Sequence, residues 1–289
     1  MSAAARDAPV LVFGRSGQVA MALARQAPVT CLGRDAADLS RPGTAAEAIA
    51  ALRPGLVINA AAFTAVDRAE TEGPLARRLN AGAPEEMAGA CAAVGIPFLH
   101  VSTDYVLDGS GSVAKDESAR PDPLNAYGAS KLAGEEAIRA AGGHWAVLRC
   151  SWVFSAQGAN FVRTMLRLAE SRETLSVVDD QVGGPTPAAD IAAALLEMGR
   201  QMRAGKPGGL YHFAGAPDVS WAAFAREIFA RAGRRVSVTG IPSEDYPTPA
   251  RRPLNSRLDC RRLAVDFGIG RPDWCAGLDA VLSELGEHP

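Results

Sequence analysis

The sequence predicts an α/β protein of the Rossmann type, a doubly wound parallel sheet with a smaller, interleaved α/β substrate lobe. Short apolar runs recur at residues 9–13, 29–32, 56–59, 98–101 and 145–149, separated by Ala-rich stretches long enough for a helix. Hydrophobicity within each run is continuous rather than alternating, as in strands buried on both faces. The first run enters a glycine turn, Gly14-Arg-Ser-Gly17, that opens a helical stretch to about residue 26. Strand, glycine turn and helix in that order form a dinucleotide site: Gly14 permits the tight turn and Gly17 the close approach of a pyrophosphate. The helix N-terminus supplies N–H groups and partial positive charge to the anion, and Ala20 is the small third position.

The Ala-rich segments 44–52, 84–94 and 132–141 read as helices. After about Cys150 the rhythm changes, with more Gly and Pro. Residues 177–186 read as a structured loop, 188–203 as a helix and 209–213 as a strand that can return to the main sheet. There follow a helix at 221–232, a short strand at 236–238, a Pro-rich loop at 242–253 and a last helix at 274–285. The expected division is a nucleotide-binding domain from residues 1–150 and about 187–215, with a substrate lobe from about 151–186 and 216–289. In open sheets of this kind ligands sit beyond the carboxyl ends of the strands, where Gly14, Asn59 and Ser102 fall.

Composition narrows the function. The chain has 289 residues, 48% of them hydrophobic, enough for one large domain or two unequal lobes. A formal net charge of -2 and a pI near 6.1 give no general attraction to nucleic acid or anionic membrane. No apolar run reaches the ~20 residues of a membrane span. Residues 1–7 lack the basic start and apolar stretch of a secretory signal, so a cytoplasmic protein is expected. Cys31, Cys91, Cys150, Cys260 and Cys275 show no paired spacing, and His100, His144, His212 and His288 are dispersed; neither a disulfide framework nor a metal site is indicated.

The chemistry-bearing motif is Tyr127-Gly-Ala-Ser-Lys131, downstream of a strand ending in Ser102-Thr103-Asp104-Tyr105. Residues i and i+4 share a helix face, so phenol and ammonium can converge on one bound molecule. A neighbouring Lys is expected to draw the phenol's pKa down toward working pH, making it a usable proton donor. Ser102 and Thr103 hydroxyls at the strand end are expected to hold a carbonyl against it. At the end of the second strand, Cys31-Leu-Gly-Arg34-Asp35 places Arg34 where it can accept a 2′-phosphate, which predicts NADPH with NADH also accepted.

With these residues in place the chain resembles the extended short-chain dehydrogenase/reductases and, among them, the dTDP-4-dehydrorhamnose reductase family, over nearly its whole length. The motifs are Gly14-x-x-Gly17-Gln-Val, Asn59-Ala-Ala-Ala-Phe-Thr-Ala-Val-Asp67, Ser102-Thr-Asp-Tyr-Val-Leu-Asp-Gly109, Tyr127-Gly-x-Ser-Lys131-Leu-Ala-Gly-Glu135, Arg149-x-Ser-Trp-Val-Phe154, Asp179-Asp-Gln-Val-Gly-x-Pro-Thr186 and Arg252-Pro-x-Asn-Ser-x-Leu-Asp259. The resemblance implies NADPH-dependent reduction of the C4 keto group of dTDP-4-dehydro-L-rhamnose to dTDP-L-rhamnose, for bacterial envelope polysaccharides. It implies Tyr127 as proton donor, Lys131 on the nicotinamide ribose and Thr103 on the carbonyl. It places Gly14, Ser16, Gly17, Gln18 and Val19 on the pyrophosphate, Ala60, Ala61, Ala62 and Thr64 along the cofactor, and Asp38 and Leu39 near the adenine. Val66, Asp104, Tyr105 and Trp152 are implied around the sugar, and Arg252 and Asn255 at the nucleotide or its phosphates. Some relatives bind magnesium between subunits through glutamates, one of them in the glycine loop. Arg15 and Ser16 stand there here, so no metal is expected. A nucleotide-sugar substrate and a monomer or homodimer follow. The alternatives left open are another nucleotide-sugar epimerase or dehydratase of the superfamily, or a non-catalytic cofactor-binding regulatory subunit.

Overall fold

The computed structural model describes residues 8–287, so the opening residues and His288 lie outside it. Along the first half, β1 (Val10–Phe13) leads to α1 (Gln18–Gln26), β2 (Val29–Leu32), α2 (Thr44–Leu52) and β3 (Leu56–Asn59). Two short helices, α3 (Val66–Ala69) and α4 (Gly73–Arg77), run through a π-helical turn at Arg78–Gly82 into α5 (Ala83–Val94). Then come β4 (Phe98–Thr103), α6 (Ala126–Ala141) and β5 (Trp145–Cys150). Helix α6 starts six residues earlier than the Ala-rich stretch at 132–141 announced, capped by the Asn125 side chain on the Gly128 N–H. Tyr127 and Lys131 therefore lie on its first turns.

The second half contains β6 (Val153–Phe154), α7 (Phe161–Ala169), β7 (Thr174–Val178), β8 (Val182–Gly183), β9 (Thr186–Pro187), α8 (Ala188–Arg203) and β10 (Gly209–Phe213). It closes with β11 (Val219–Ser220), α9 (Trp221–Arg231), β12 (Ser237–Ile241), β13 (Asn255–Ser256), α10 (Arg261–Phe267) and α11 (Trp274–Leu285). The stretch read as one structured loop at 177–186 is in fact the end of β7 with the two-residue strands β8 and β9. Each pairs with a segment distant in sequence, which no local pattern announces.

Six strands form one parallel sheet in the order β10-β5-β4-β3-β1-β2. Alternate residues of each strand serve opposite faces, and both faces are buried. Val12, Ile58, Leu99 and Leu148 pack with Leu23 of α1 and with Ile191, Leu195 and Met198 of α8. Leu11, Phe13, Val57 and Val147 pack with Ile49 of α2, Met87 of α5 and Ile138 of α6. A separate core joins Phe154, Val162, Leu166 and Leu175 to Phe224, Trp274 and Leu282. Residues 261–267 were assigned to the smaller lobe with no helix expected; they form α10, whose Leu263 and Phe267 join the core of the main sheet beside Tyr211. The strand order reverses between β1 and β3, and at that switch point a crevice opens beyond the strand ends.

Candidate active site

At the crevice, Gly14 has φ +117°, and a β-carbon there would meet the Ala60 and Ala61 backbone at 3.3 Å. Gly17 is the extended N-cap of α1, and no side chain caps that helix, so its first-turn N–H groups are presented to an anion. The cradle fits a dinucleotide's pyrophosphate. Ser16 is exposed at its rim, whereas the Val19 side chain joins the core. Gln18 accepts hydrogen bonds at its side-chain oxygen from Ser155 Oγ at 2.9 Å and Asn160 Nδ2 at 3.1 Å, so it ties the smaller lobe to the loop. Ala60, Ala61 and Ala62, partly buried, and Thr64, exposed, continue the floor after β3.

Beyond β2, Arg34 is 74% exposed and lies 3.5 Å from Asp38. Arg15 donates to Asp35 at 2.9 Å, which holds that carboxyl below the usual carboxylate range. The acid next to Arg34 is thus already engaged, and two guanidinium groups border this edge. The sequence had marked only Arg34. Leu39, expected near an adenine, packs with Leu11, Phe13 and Ala37 in the core.

Thr103 ends β4 and its hydroxyl caps the short turn that follows, accepting from the Tyr105 N–H at 3.2 Å. The same hydroxyl donates to Asp104 Oδ1 at 3.1 Å and interacts with the Tyr127 phenol. Tyr105 meets Tyr127 edge to face, ring centroids 5.7 Å apart. Burial pushes the Tyr127 pKa above its ordinary value, although the Thr103 hydroxyl pulls it back. The expected lowering by Lys131 is absent. Lys131 is itself 1% exposed and turns to β4, donating to the Val101 carbonyl at 2.7 Å with its Nζ 3.0 Å from His100 Nε2. Burial brings the Lys131 ammonium down to about 8.

Ser102 does not share the task assigned to it. Strand alternation sends its hydroxyl to the other face, where it donates to Glu135 Oε1 at 2.5 Å. Glu135 also receives Arg149 Nη2 at 2.6 Å, and both members of this ion pair are buried. Two helix glycines make the approach: a β-carbon at Gly128 would lie 2.2 Å from the Tyr105 carbonyl, and one at Gly134 2.1 Å from that of Asn80. Asn80, set in the π-helical turn, clamps the Phe63 backbone and donates to Ser130 Oγ, locking the loop after β3 to α6.

A cleft of about 1690 Å³ runs from Tyr105 along the smaller lobe, lined also by Phe161, Trp221, Gln181, Tyr246, Arg251 and Arg252. Trp152 has φ +48°, a left-handed conformation uncommon for a bulky residue, and stacks on Trp221 at 3.5 Å with 9° between the rings. Trp221 had been read only as a helix start, because its partner is 69 residues away. Val66 opens α3, partly buried. Arg252 is held by Asp67 Oδ2 at 2.8 Å and the Ala250 carbonyl at 3.0 Å, which fixes its guanidinium beside the cleft. Asn255 is different. It is buried, donates to the Ser110 and Val113 carbonyls, and accepts from Arg257, so it supports the wall from behind and has no donor left over for a ligand. Asp104 is also buried, and its Oδ2 has no hydrogen-bond partner among the described residues.

Parallel sheet, pyrophosphate cradle and Thr103, Tyr127 and Lys131 together define an NAD(P)-dependent oxidoreductase of the extended short-chain dehydrogenase/reductase class. The family model described as RmlD substrate binding domain matches residues 8–287. A dTDP-4-dehydrorhamnose reductase of Burkholderia thailandensis is 46% identical, covering 96% of this chain and 98% of that protein. One of Sinorhizobium fredii is 43% identical, covering 91% and 93%. The crystal structure of dTDP-4-dehydrorhamnose reductase from Bacillus anthracis in complex with NADP superimposes with a TM-score of 0.90 at 32% identity, covering 96% of this chain and 99% of that one. The chain belongs to the dTDP-4-dehydrorhamnose reductase family.

Proposed function

We propose that the protein reduces the C4 keto group of dTDP-4-dehydro-L-rhamnose with NADPH, giving dTDP-L-rhamnose. The observation that supports the reading is the Thr103 hydroxyl against the Tyr127 phenol, with Tyr105, packed on Tyr127, lining a cleft of about 1690 Å³ and Lys131 one turn further along α6. Gly14, Ser16, Gly17, Gln18 and Val19 hold the pyrophosphate through backbone N–H groups, and Ala60, Ala61, Ala62 and Thr64 line the remainder. Arg34, with Arg15, meets the 2′-phosphate as a planar donor fork. NADPH bound there supplies the hydride.

The chain's own residues do the rest. Thr103 hydrogen-bonds the keto oxygen, and Tyr127 gives its proton to the C4 oxygen as negative charge builds there. Lys131 holds the ribose and stabilises the phenolate left behind. Val66, Asp104, Tyr105 and Trp152 surround the sugar, with Arg252 at the phosphates. A dehydratase needs an acidic pair after the strand-end Thr, and here Asp104 is followed by Tyr105.

The test is NADPH oxidation in the presence of dTDP-glucose and the upstream dehydratase and epimerase, with the product sugar identified. Stoichiometric dTDP-L-rhamnose is expected. Active upstream enzymes with no NADPH consumed would sink the reading.

A further inference from the structure

The amine of Lys131 ends a chain of hydrogen bonds whose donors and acceptors can be assigned. Asn59 closes β3 directly opposite His100 of β4, and both are buried. The Ala61 N–H, which can only donate, lies 3.0 Å from Asn59 Oδ1. That fixes the amide, so Asn59 Nδ2 donates to His100 Nδ1 at 3.0 Å. A neutral imidazole that accepts at Nδ1 carries its hydrogen on Nε2. Nε2 faces Lys131 Nζ at 3.0 Å, a hydrogen bond only if the amine offers its lone pair. An ammonium there would set donor against donor, and turning the Asn59 amide to relieve it would set Nδ2 against the Ala61 N–H.

We propose that Asn59 and His100 are positioning residues whose hydrogen bonds fit only the uncharged amine of Lys131, so that they lower the pH at which its ammonium loses a proton in the free enzyme and thereby set the alkaline edge of its activity. The other groups around Lys131 do not oppose this. Glu135 on the same helix favours the ammonium, but its carboxylate is taken by Arg149 and Ser102. Tyr127, one turn back, and Cys150 of β5 are protonated, both pushed up by burial. Asp104, past the end of β4, has its carboxyl raised to about 6 by burial, against the lowering effect of Ser256 and Thr103. The ordinary ammonium value of Lys131 falls to about 8, burial being the first cause. His100 is held well below its ordinary value, by burial and then by Lys131, so it stays neutral.

The first test needs no turnover: nitrogen-15 correlation spectra of the histidines in cofactor-free enzyme, with His100 identified by loss of its signals in His100→Gln. A bare Nδ1 and protonated Nε2 are expected at pH 9, above the Lys131 value of about 8; a protonated Nδ1 there overturns the proposal. The second test, which also rests on the reductase reading, uses Asn59→Asp. The carboxylate still accepts from Ala61 but now also accepts from His100 Nδ1–H, leaving Nε2 bare for a Lys131 ammonium. The alkaline edge of kcat/KM should then move up by at least about one pH unit, a tenfold gain in proton affinity, and His100 should show the other tautomer. A loss of kcat/KM equal at every pH, with the edge unmoved, would mean that the pair only supports the fold.

Discussion

At neutral pH Tyr127 keeps its proton because its phenol is desolvated, which suits the acid role proposed for it. Tyr127→Phe removes that proton while the ring still packs edge to face on Tyr105. We predict a kcat loss of roughly 10²- to 10⁴-fold with NADPH affinity unchanged, measured by single-turnover kinetics and cofactor titration. Retention of more than half the turnover with chemistry rate-limiting would reassign the donor. Asp104 allows a second prediction. Burial raises its carboxyl to about 6, above the ordinary unfolded value near 3.9. A folded pKa above the unfolded one contributes stability below pH 4 that is lost as pH rises through 6. Asp104→Asn keeps the shape without the charge, so at pH 8 it should be more stable than the parent by roughly 1–3 kcal/mol. At pH 4 the gap should close, and urea unfolding at both pH values checks it. Tyr127, Lys131 and Thr103 were legible because their spacing encodes the chemistry. The pKa of Tyr127 was not, since it depends on where the Lys131 amine turns.

In the proposed reading, the glycine turn with the end of β2 selects the cofactor. Arg34 extends outward beside Asp38, while Arg15 neutralises Asp35, the carboxylate that would otherwise repel a 2′-phosphate. NADPH is predicted to give the higher kcat/KM, and Arg34→Ala should narrow its advantage over NADH by roughly tenfold, the worth of one charge-assisted contact. Equal kcat/KM for the two cofactors in the parent enzyme would contradict this. The turn, β1 and α1 could be read locally because glycine, apolar run and helix signals coincide within twenty residues. Arg15 could not, because its partner becomes adjacent only when β1 and β2 pair. Helix α6 shows the same limit: Gly128 and Gly134 look like helix weakeners until the Tyr105 and Asn80 carbonyls come against them.

Across the whole molecule, the sheet carries the cradle and the proton donor, while the smaller lobe supplies the aromatic wall of Trp221 and Phe161. That separation predicts a separable defect. Trp221→Ala removes the ring stacked on Trp152 and should raise the KM of the nucleotide sugar by roughly 2- to 13-fold, as expected for about 0.5–1.5 kcal/mol of aromatic contact. NADPH binding, measured by fluorescence titration, should stay as it was; if it weakened equally, the two lobes would be one energetic unit. Among the described residues no helix is long and apolar enough to cross a membrane. The sequence by itself determined the order of strands and helices in the main sheet, the strained glycine turn at Gly14 and the Thr103, Tyr127 and Lys131 set proposed for the chemistry, because each depends on periodicity or spacing within a short window. Only the tertiary structure decided that Ser102 serves Glu135, that Asn255 stands behind the cleft wall, that α10 joins the main core, and that Asn59 and His100 reach Lys131. Those outcomes follow from pairings between residues far apart in sequence, and in a buried interior each polar group must take whichever partner the packed chain brings to it.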